Sequence, residues 1–310
     1  MTIADIVVVL ASDDNYAMPL AVTAVSILKN LGNNKHLKLF ILDGGITKKN
    51  KDKILNSLDL NKCSVDWFDT SEQFKEINIP DSLTESAFHR LLIPRLLPED
   101  INKVIYLDSD LLVLSDLSSL WDYSIENHHI LAVRDFYCQK VSDTIGGLLA
   151  VPDYRQLKIP AQHKYFNSGV LVINLEKWRE ENTADQVIDY IVNAKHKLTA
   201  PDQEGLNAIL WDKWGEIEPK WNYQAKFTLE SKDYIPLEEL FEEGLYQEAK
   251  VNPYVKHFVA EHKPWKYYKH PEKSLFYEYL DLTAWSGWRY SLWKVLGRKI
   301  NRFLTFKLKK

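Results

Sequence analysis

Val104-Ile105-Tyr106-Leu107-Asp108-Ser109-Asp110-Leu111-Leu112-Val113 reads as a buried apolar strand that ends in two carboxylates one residue apart. An apolar run of this length, rich in β-branched residues, suits a central strand covered on both faces. An unpaired carboxylate at the end of such a strand costs several kcal/mol, roughly, or is neutralised by a pKa shift. Asp108 and Asp110 together therefore ask for a cation. Carboxylate oxygens suit Mg²⁺ or Mn²⁺, which commonly bridge one or two carboxylates and the phosphates of a substrate. The end of a strand is also where ligands bind in open α/β sheets. The plainer alternative is a solvated turn, since Asp-x-Asp is a short motif, so the rest of the chain must decide.

The chain has 310 residues, 45% hydrophobic and 26% charged, enough for one large globular α/β domain or two smaller ones. A net charge of −4 gives no reason to expect nucleic acid as a partner. Cys63 and Cys138 are the only cysteines. Two scattered thiols are no disulfide framework, so a reducing cytoplasm is expected. No basic stretch precedes the first apolar run, which reads as a strand and not as a signal peptide. No apolar run is long enough for a spanning helix.

Working outward from the Asp-x-Asp stretch, strands and helices alternate. Ile3 to Ala11 reads as a strand, Ser12-Asp13-Asp14-Asn15-Tyr16 as a polar turn, and Met18 to Leu31 as a helix stopped by Gly32. Neither Gly-x-Gly-x-x-Gly nor Gly-Lys-Ser/Thr occurs there, so a dinucleotide fingerprint and a P-loop are both absent. Asp13 and Asn15 can meet a base edge or simply cap the helix. Leu37–Leu42 and Cys63–Phe68 read as strands, with a Lys-rich helix from a Thr47 cap to Leu58 between them. Thr84–Leu97 reads as a helix interrupted at Pro94. In it, Arg90 lies among apolar neighbours, as a snorkelling group or as a ligand for diphosphate and sugar.

Beyond the motif, a strand over His129–Val133 ends at Arg134-Asp135, and residues 139–164 read as a long loop. Tyr165-Phe166-Asn167-Ser168-Gly169-Val170 is a polar turn feeding a buried strand, followed by an amphipathic helix over Glu176–Lys195. Asp202 and Gln203 stand at the start of a further helix, where they can cap it or grip sugar hydroxyls. Val251–Phe258 reads as a late strand closed by His257, with Lys263 set by Pro264 and Trp265. His257 can complete the coordination begun by the two aspartates, and Lys263 can meet phosphate charge. This period predicts an α/β, Rossmann-like fold with a mainly parallel central sheet flanked by helices.

Taken in order, these motifs make the chain resemble glycosyltransferase family 8, and most of all its bacterial branch of lipooligosaccharide galactosyltransferases and general stress proteins, related to glycogenin. The resemblance covers about residues 3–266 and rests on Ala11–Tyr16, Arg90, Leu107–Asp110, Asp135, Phe166–Val170, Asp202-Gln203 and the His257…Lys263-Pro264-Trp265 box. It implies a GT-A domain over residues 1–266 and a retaining transfer of glucose or galactose from a UDP-sugar. It assigns Asp108, Asp110 and His257 to Mn²⁺ (or Mg²⁺), and Ala11, Asp13 and Asn15 to uridine. Arg90, Asn167, Asp202 and Gln203 would face the donor sugar. Lys263 would meet the diphosphate, with Ser109 and Asp135 counted among the donor-binding residues. Gln203, Asp202 and Asn167 are the catalytic candidates. No strong nucleophile stands among them, which favours front-face attack over a covalent intermediate. The family box has glycine three residues after the histidine, and here that position is Ala260.

Residues 267–310 form a C-terminal tail. Trp285, Trp288, Leu292, Leu296, Ile300 and Phe303 repeat at helical spacing, and from Arg289 to Lys310 there are eight Lys/Arg and no Asp or Glu. A basic amphipathic helix of this kind lies in a membrane interface, or else packs its apolar face on the domain. The expectation is a peripheral enzyme on the inner face of the cytoplasmic membrane, contacting it through residues 285–310 and acting on a saccharide or lipid-linked acceptor. The alternatives are a non-catalytic UDP-sugar-binding protein and an Asp-x-Asp phosphatase. The phosphatase pattern expects Thr two residues after the second Asp, where this chain has Leu112.

Overall fold

The structure is a computed structural model that describes residues 4–77, 79, 83–85, 88–145, 147–225 and 244–290. Its first half runs β1 (Ala4–Ser12), α1 (Ala17–Asn30), β2 (Lys35–Asp43), α2 (Lys48–Leu55), β3 (Cys63–Asp69) and α3 (Ser71–Glu76). After a 3₁₀ turn over His89–Leu92 come α4 (Ile93–Leu96), β4 (Lys103–Leu107), β5 (Leu111–Val113), α5 (Ser118–Trp121) and β6 (Ile130–Arg134). The second half adds β7 (Thr144–Ile145), β8 (Leu148–Leu149), β9 (Phe166–Asn174), α6 (Leu175–Glu180), α7 (Thr183–Val192) and α8 (Pro201–Ile209). It closes with β10 (Trp214–Glu216), β11 (Tyr223–Gln224), α9 (Leu245–Val251), β12 (Val255–His257) and α10 (Lys273–Leu280).

A seven-stranded sheet in the order β10-β6-β9-β4-β1-β2-β3 forms the centre. The strands β3, β2, β1 and β4 are mutually parallel, as are β6 and β10. Only β9 runs antiparallel, to both its neighbours. Alternate residues of β1 enter different cores: Ile6, Val8 and Leu10 on one face, Val7 and Val9 on the other. The first face is covered by α1 and α2, the second by the 89–97 segment and α6–α8. This double cover is why residues 6–11 of β1 read as a continuous apolar run with no polar alternation.

The topology places the site. From β1 the chain steps outward to β2 and β3, then returns to β4 on the other side of β1. Loops at the carboxyl ends of β1 and β4 diverge there, opening a crevice. Because β9 is antiparallel, its first residues arrive at the same end of the sheet, and Asp108 N–H donates to the Gly169 carbonyl at 2.9 Å. A second, three-stranded sheet, β11-β12-β5, stands beside the first. Leu111 of β5 pairs with His257 of β12, which carries the histidine to the aspartates.

Several elements differ from the sequence reading. The expected strand over 104–113 is two strands in two sheets, turned at Asp108-Ser109-Asp110. The expected helix over 84–97 is a 3₁₀ turn and one turn of α-helix, because Pro94 withdraws a backbone donor. The helix over 176–195 breaks at Asn182, which takes a left-handed conformation with φ 50°. The Lys-rich helix after Thr47 ends at Leu55, short of Leu58. Residues 139–164 contain the small β7–β8 hairpin. Val251 closes a helix, and the late strand begins only at Val255. The cap of α8 is Ala200, with Asp202 inside the first turn.

The described part of the tail packs on the domain. Phe276, Tyr279 and Leu280 of α10 join Val22, Leu112, Phe258 and Trp265 in one apolar cluster, with Trp285 and Trp288 packed against it. Residues 291–310 lie outside the described residues, and with them most of the expected interfacial helix.

Candidate active site

A cleft of about 430 Å³ opens at the carboxyl ends of β1 and β4. Its wall includes Ala11, Asp13, Tyr16, His89, Arg90, Tyr106, Asp108, Ser109, Asp110 and Asp202. The turn after β1 supplies one side. Asp13 accepts from the Tyr16 N–H at 3.1 Å, so it caps that turn and still faces the cleft. Asn15 is exposed and is not among the lining residues; its amide donates to the second oxygen of Asp13 at 3.0 Å. Ser109 Oγ donates to the Ala11 carbonyl at 2.7 Å, stitching the β4 loop to the end of β1.

The two aspartates have different partners. Asp108 Oδ1 receives the Arg90 guanidinium at 2.8 Å and the Tyr106 hydroxyl at 2.9 Å. Arg90 also lies 3.0 Å from Asp202 Oδ2 and donates to the Ser168 carbonyl. Burial opposes the Arg90 charge, but Asp108 and Asp202 outweigh it and push its pKa up. Burial likewise pushes the Asp108 carboxyl up, with Arg90 opposing and Asp110 adding repulsion. Burial disfavours charge on Asp110 too, but Lys263 and His257 outweigh it and hold that carboxyl below the usual range. Lys263 Nζ lies 2.5 Å from Asp110 Oδ2, and its next acceptor is the Phe258 carbonyl.

His257 Nε2 stands 3.2 Å from Asp110 Oδ1 and 3.8 Å from Asp108 Oδ2. Its other nitrogen, Nδ1, meets Asn222 Oδ1 at 3.1 Å. The Asn222 amide nitrogen donates to Asn167 Oδ1 at 2.8 Å, which makes Asn222 Oδ1 an acceptor and Nδ1–H of the histidine the donor. With Nδ1–H held by Asn222, loss of the Nε2 proton would leave a lone pair aimed at the two carboxylates. One donor atom from each of Asp108, Asp110 and His257 lies within 4.8 Å of the others, the only such group among the described residues. Hard oxygens with one imidazole suit Mn²⁺ or Mg²⁺, and a fixed second nitrogen is the usual support of a ligating histidine. Gly169 makes the room: a Cβ there would fall 2.3 Å from His257 Cε1 and 2.9 Å from Asp108 Oδ2. The residues present fit a divalent ion.

Behind this wall lies a buried polar layer. Asp135 Oδ2 accepts from Asn167 at 3.0 Å and Gln203 at 3.1 Å, while Oδ1 accepts the Tyr137 and Cys138 N–H groups. Gln203 Oε1 accepts from Asn167 and from the Ser168 N–H. Asp135, Asn167 and Gln203 are thus bonded to one another and absent from the residues lining the cleft; Ser168 connects them to it through Asp202, at 3.3 Å. The resemblance had Asn167 and Gln203 facing the donor sugar and counted Asp135 among the donor-binding residues. Sequence reasoning passed over Asn222, Tyr106 and His89, and gave Gly169 no role.

At Ala260 the backbone has φ 67°, the left-handed region that favours glycine. This strained alanine lies three residues after His257 and three before Lys263.

This Rossmann-like sheet, with a carboxylate–histidine cluster at its switch point, is the GT-A fold of the glycosyltransferases that superpose on it. The sequence model of glycosyl transferase family 8 matches residues 7–269, and the chain belongs to that family. General stress protein A of Bacillus subtilis is 32% identical over 284 residues, spanning 90% of this chain and 94% of that protein. Among solved structures, the bifunctional glycosyltransferase WbbM superposes with a TM-score of 0.76 at 25% identity. That match covers 91% of this chain and only 50% of WbbM. The galactosyltransferase LgtC, solved with donor and acceptor sugar analogs, matches with a TM-score of 0.67 at 22% identity over 93% of this chain and 99% of its own. No helix among the described residues is long and apolar enough to cross a membrane.

Proposed function

We propose that the chain is a retaining hexosyltransferase that moves glucose or galactose from a UDP-sugar to a glycan or lipid-linked acceptor. The observation that carries the reading is the convergence of Asp108, Asp110 and His257 within 4.8 Å on a cleft of ligand size. A divalent ion held there would neutralise the diphosphate and the charge that grows on it as the glycosidic bond breaks. The protein's own residues do the rest. Asp13 and Tyr16 line the base end of the cleft. Lys263 is positioned to exchange Asp110 for a phosphate oxygen, as a buried point charge. Arg90, fixed by two carboxylates and a carbonyl, presents a rigid edge to sugar or phosphate oxygens.

Retention through a covalent intermediate needs a carboxylate free to attack. Asp202 Oδ2 is held by Arg90 and Ser168, and both ends of the Gln203 amide are bonded. This supports front-face attack, with the departing phosphate oxygen taking the acceptor's proton. The relative LgtC, solved with donor and acceptor sugar analogs, supports a sugar donor and a sugar acceptor here. The test is release of UDP from UDP-glucose and UDP-galactose with Mn²⁺, Mg²⁺ or EDTA. Metal-dependent release from one donor supports the reading; phosphatase activity without UDP favours the Asp-x-Asp phosphatase, and binding without turnover favours a UDP-sugar-binding protein. The cytoplasmic, membrane-peripheral placement rests on the basic sequence from Arg289 onward. Flotation with anionic liposomes, with and without residues 291–310, tests it.

A further inference from the structure

A second cleft, of about 490 Å³, runs along β10, the terminal strand of the seven-stranded sheet. Trp211, Trp214, Tyr123, His128 and His163 give it an aromatic lining. These rings are held in place. Trp214 packs on Phe166 at 5.1 Å between centroids, and Trp211 stands edge-on to His163 at 5.0 Å. The His128 ring rests on the backbone of Gly215, where a Cβ would fall 2.8 Å from its Cδ2.

The polar groups of this cleft divide in two. Glu216 is fully engaged, by Arg134 at 2.9 and 3.0 Å and by Lys164 at 2.5 Å. The side chains of Ser124, His128, His163 and Asp212 make no hydrogen bond or ion pair among the described residues. In the catalytic cleft the charged groups of the floor are all paired. Here four hydrogen-bonding groups stand open beside fixed aromatic rings.

That combination narrows the ligand. A metal ion is disfavoured, since these residues do not gather three donor atoms as the Asp108 cluster does. An anion is disfavoured, since the lining cation Lys164 is spent on Glu216 and Asp212 adds a negative charge. What remains is a neutral ligand with apolar faces and many hydroxyls. Aromatic rings cover the C–H faces of a pyranose, and imidazole, carboxylate and hydroxyl groups bond its rim.

We propose that the β10 cleft binds a saccharide chain at a site separate from the catalytic cleft, holding an already built part of the acceptor glycan. The proposal rests on the hexosyltransferase reading only for the expectation that a glycan is at hand. The full chain is applied to an array of immobilised neutral oligosaccharides, with saturating Mn²⁺ and UDP and again with EDTA. The expected result is capture that persists in EDTA and in Asp110→Ala. Capture falls about tenfold in Trp211→Ala, for the loss of a stacking ring, and about fivefold in the exposed-site variant Asp212→Ala, for one hydrogen bond. Far-ultraviolet circular dichroism confirms that each variant is folded. Capture lost in Asp110→Ala and EDTA but kept in Trp211→Ala and Asp212→Ala places the glycan in the catalytic cleft and overturns the proposal. So does a folded wild type that captures no glycan. Binding of UDP by the same samples, measured separately, reports on the hexosyltransferase reading itself.

Discussion

Asp108 and Asp110 are one residue apart, yet they belong to different parts of the molecule. Asp108 ends a strand of the seven-stranded sheet and is gripped by Arg90 and Tyr106, both nearly buried. Asp110 opens onto the three-stranded sheet, where the Phe258 N–H donates to its carbonyl at 3.0 Å and its carboxylate meets Lys263 and His257. The Asp108 side is fixed by a buried guanidinium that donates to Asp108 and the Ser168 carbonyl and pairs with Asp202. The Asp110 side hangs on strands of two and three residues and on a loop with a left-handed alanine. The contrast assigns the two halves different work. On the proposed function, the first would be a prebuilt wall and the second would carry the groups that trade partners when a ligand arrives, since groups that move are drawn from less stable structure.

The largest expected effect tests the Asp108 side. Burial, and then the Arg90 charge, push His89 down to about 4. Unfolded histidine titrates near about 6.5, so the neutral form is favoured by folding. Stability from this residue is then complete above about pH 6.5, is lost as pH falls toward 4, and levels off below that. The loss is about 3 kcal/mol over the window. His270 is pushed down to about 4 as well and burial lowers the His129 pKa, so the wild type carries all three contributions and His89→Leu isolates one. Urea midpoints at pH 7 and pH 4.5 should separate the two proteins; equal pH dependence would mean that His89 is wetter than the packing shows.

Gly169→Ala probes the seam between the halves. Its methyl would collide with His257 and crowd Asp108. Mn²⁺ affinity should fall about 10- to 100-fold, the scale of damage to a ligand's support, while the fold persists. Unchanged affinity would show that His257 has another way to reach the ion. The smallest effect belongs to the Asp110 side. Ala260→Gly should relieve a left-handed strain of about 1 kcal/mol and raise Tm by about 2 °C. A lowered Tm would mean that the loop leaves this conformation in solution.

Much of this was legible in the sequence. Uninterrupted apolar runs at 6–11 and 104–107 betray strands covered on both faces, and the alternation of strand and helix betrays a parallel sheet. Thr47 caps its helix as read, since the cap is local chemistry. The carboxylates and His257 were findable as residue types that do not belong unpaired in a core. The division of 104–113 between two sheets was hidden, because Leu111, Leu112 and Val113 are as apolar as the residues before the turn. Asn222 carried no signal at all: it matters only because β11 and β12 pair, a contact 30 residues long in sequence, roughly, that no local pattern encodes. Asp135, Asn167 and Gln203 were visible as candidates, but their mutual hydrogen bonds depend on β9 running against its neighbours. The break at Asn182 had a signal in retrospect, since Asn tolerates the left-handed region better than its neighbours do.

Whether Asp108, Asp110 and His257 hold a metal–diphosphate site is decided by calorimetric titration of UDP. Wild type and Asp110→Ala are titrated with Mn²⁺ and with EDTA. UDP binding should require both the metal and Asp110, with affinity falling at least about 100-fold when either is removed. Equal binding with and without metal, in a folded Asp110→Ala protein, would contradict it.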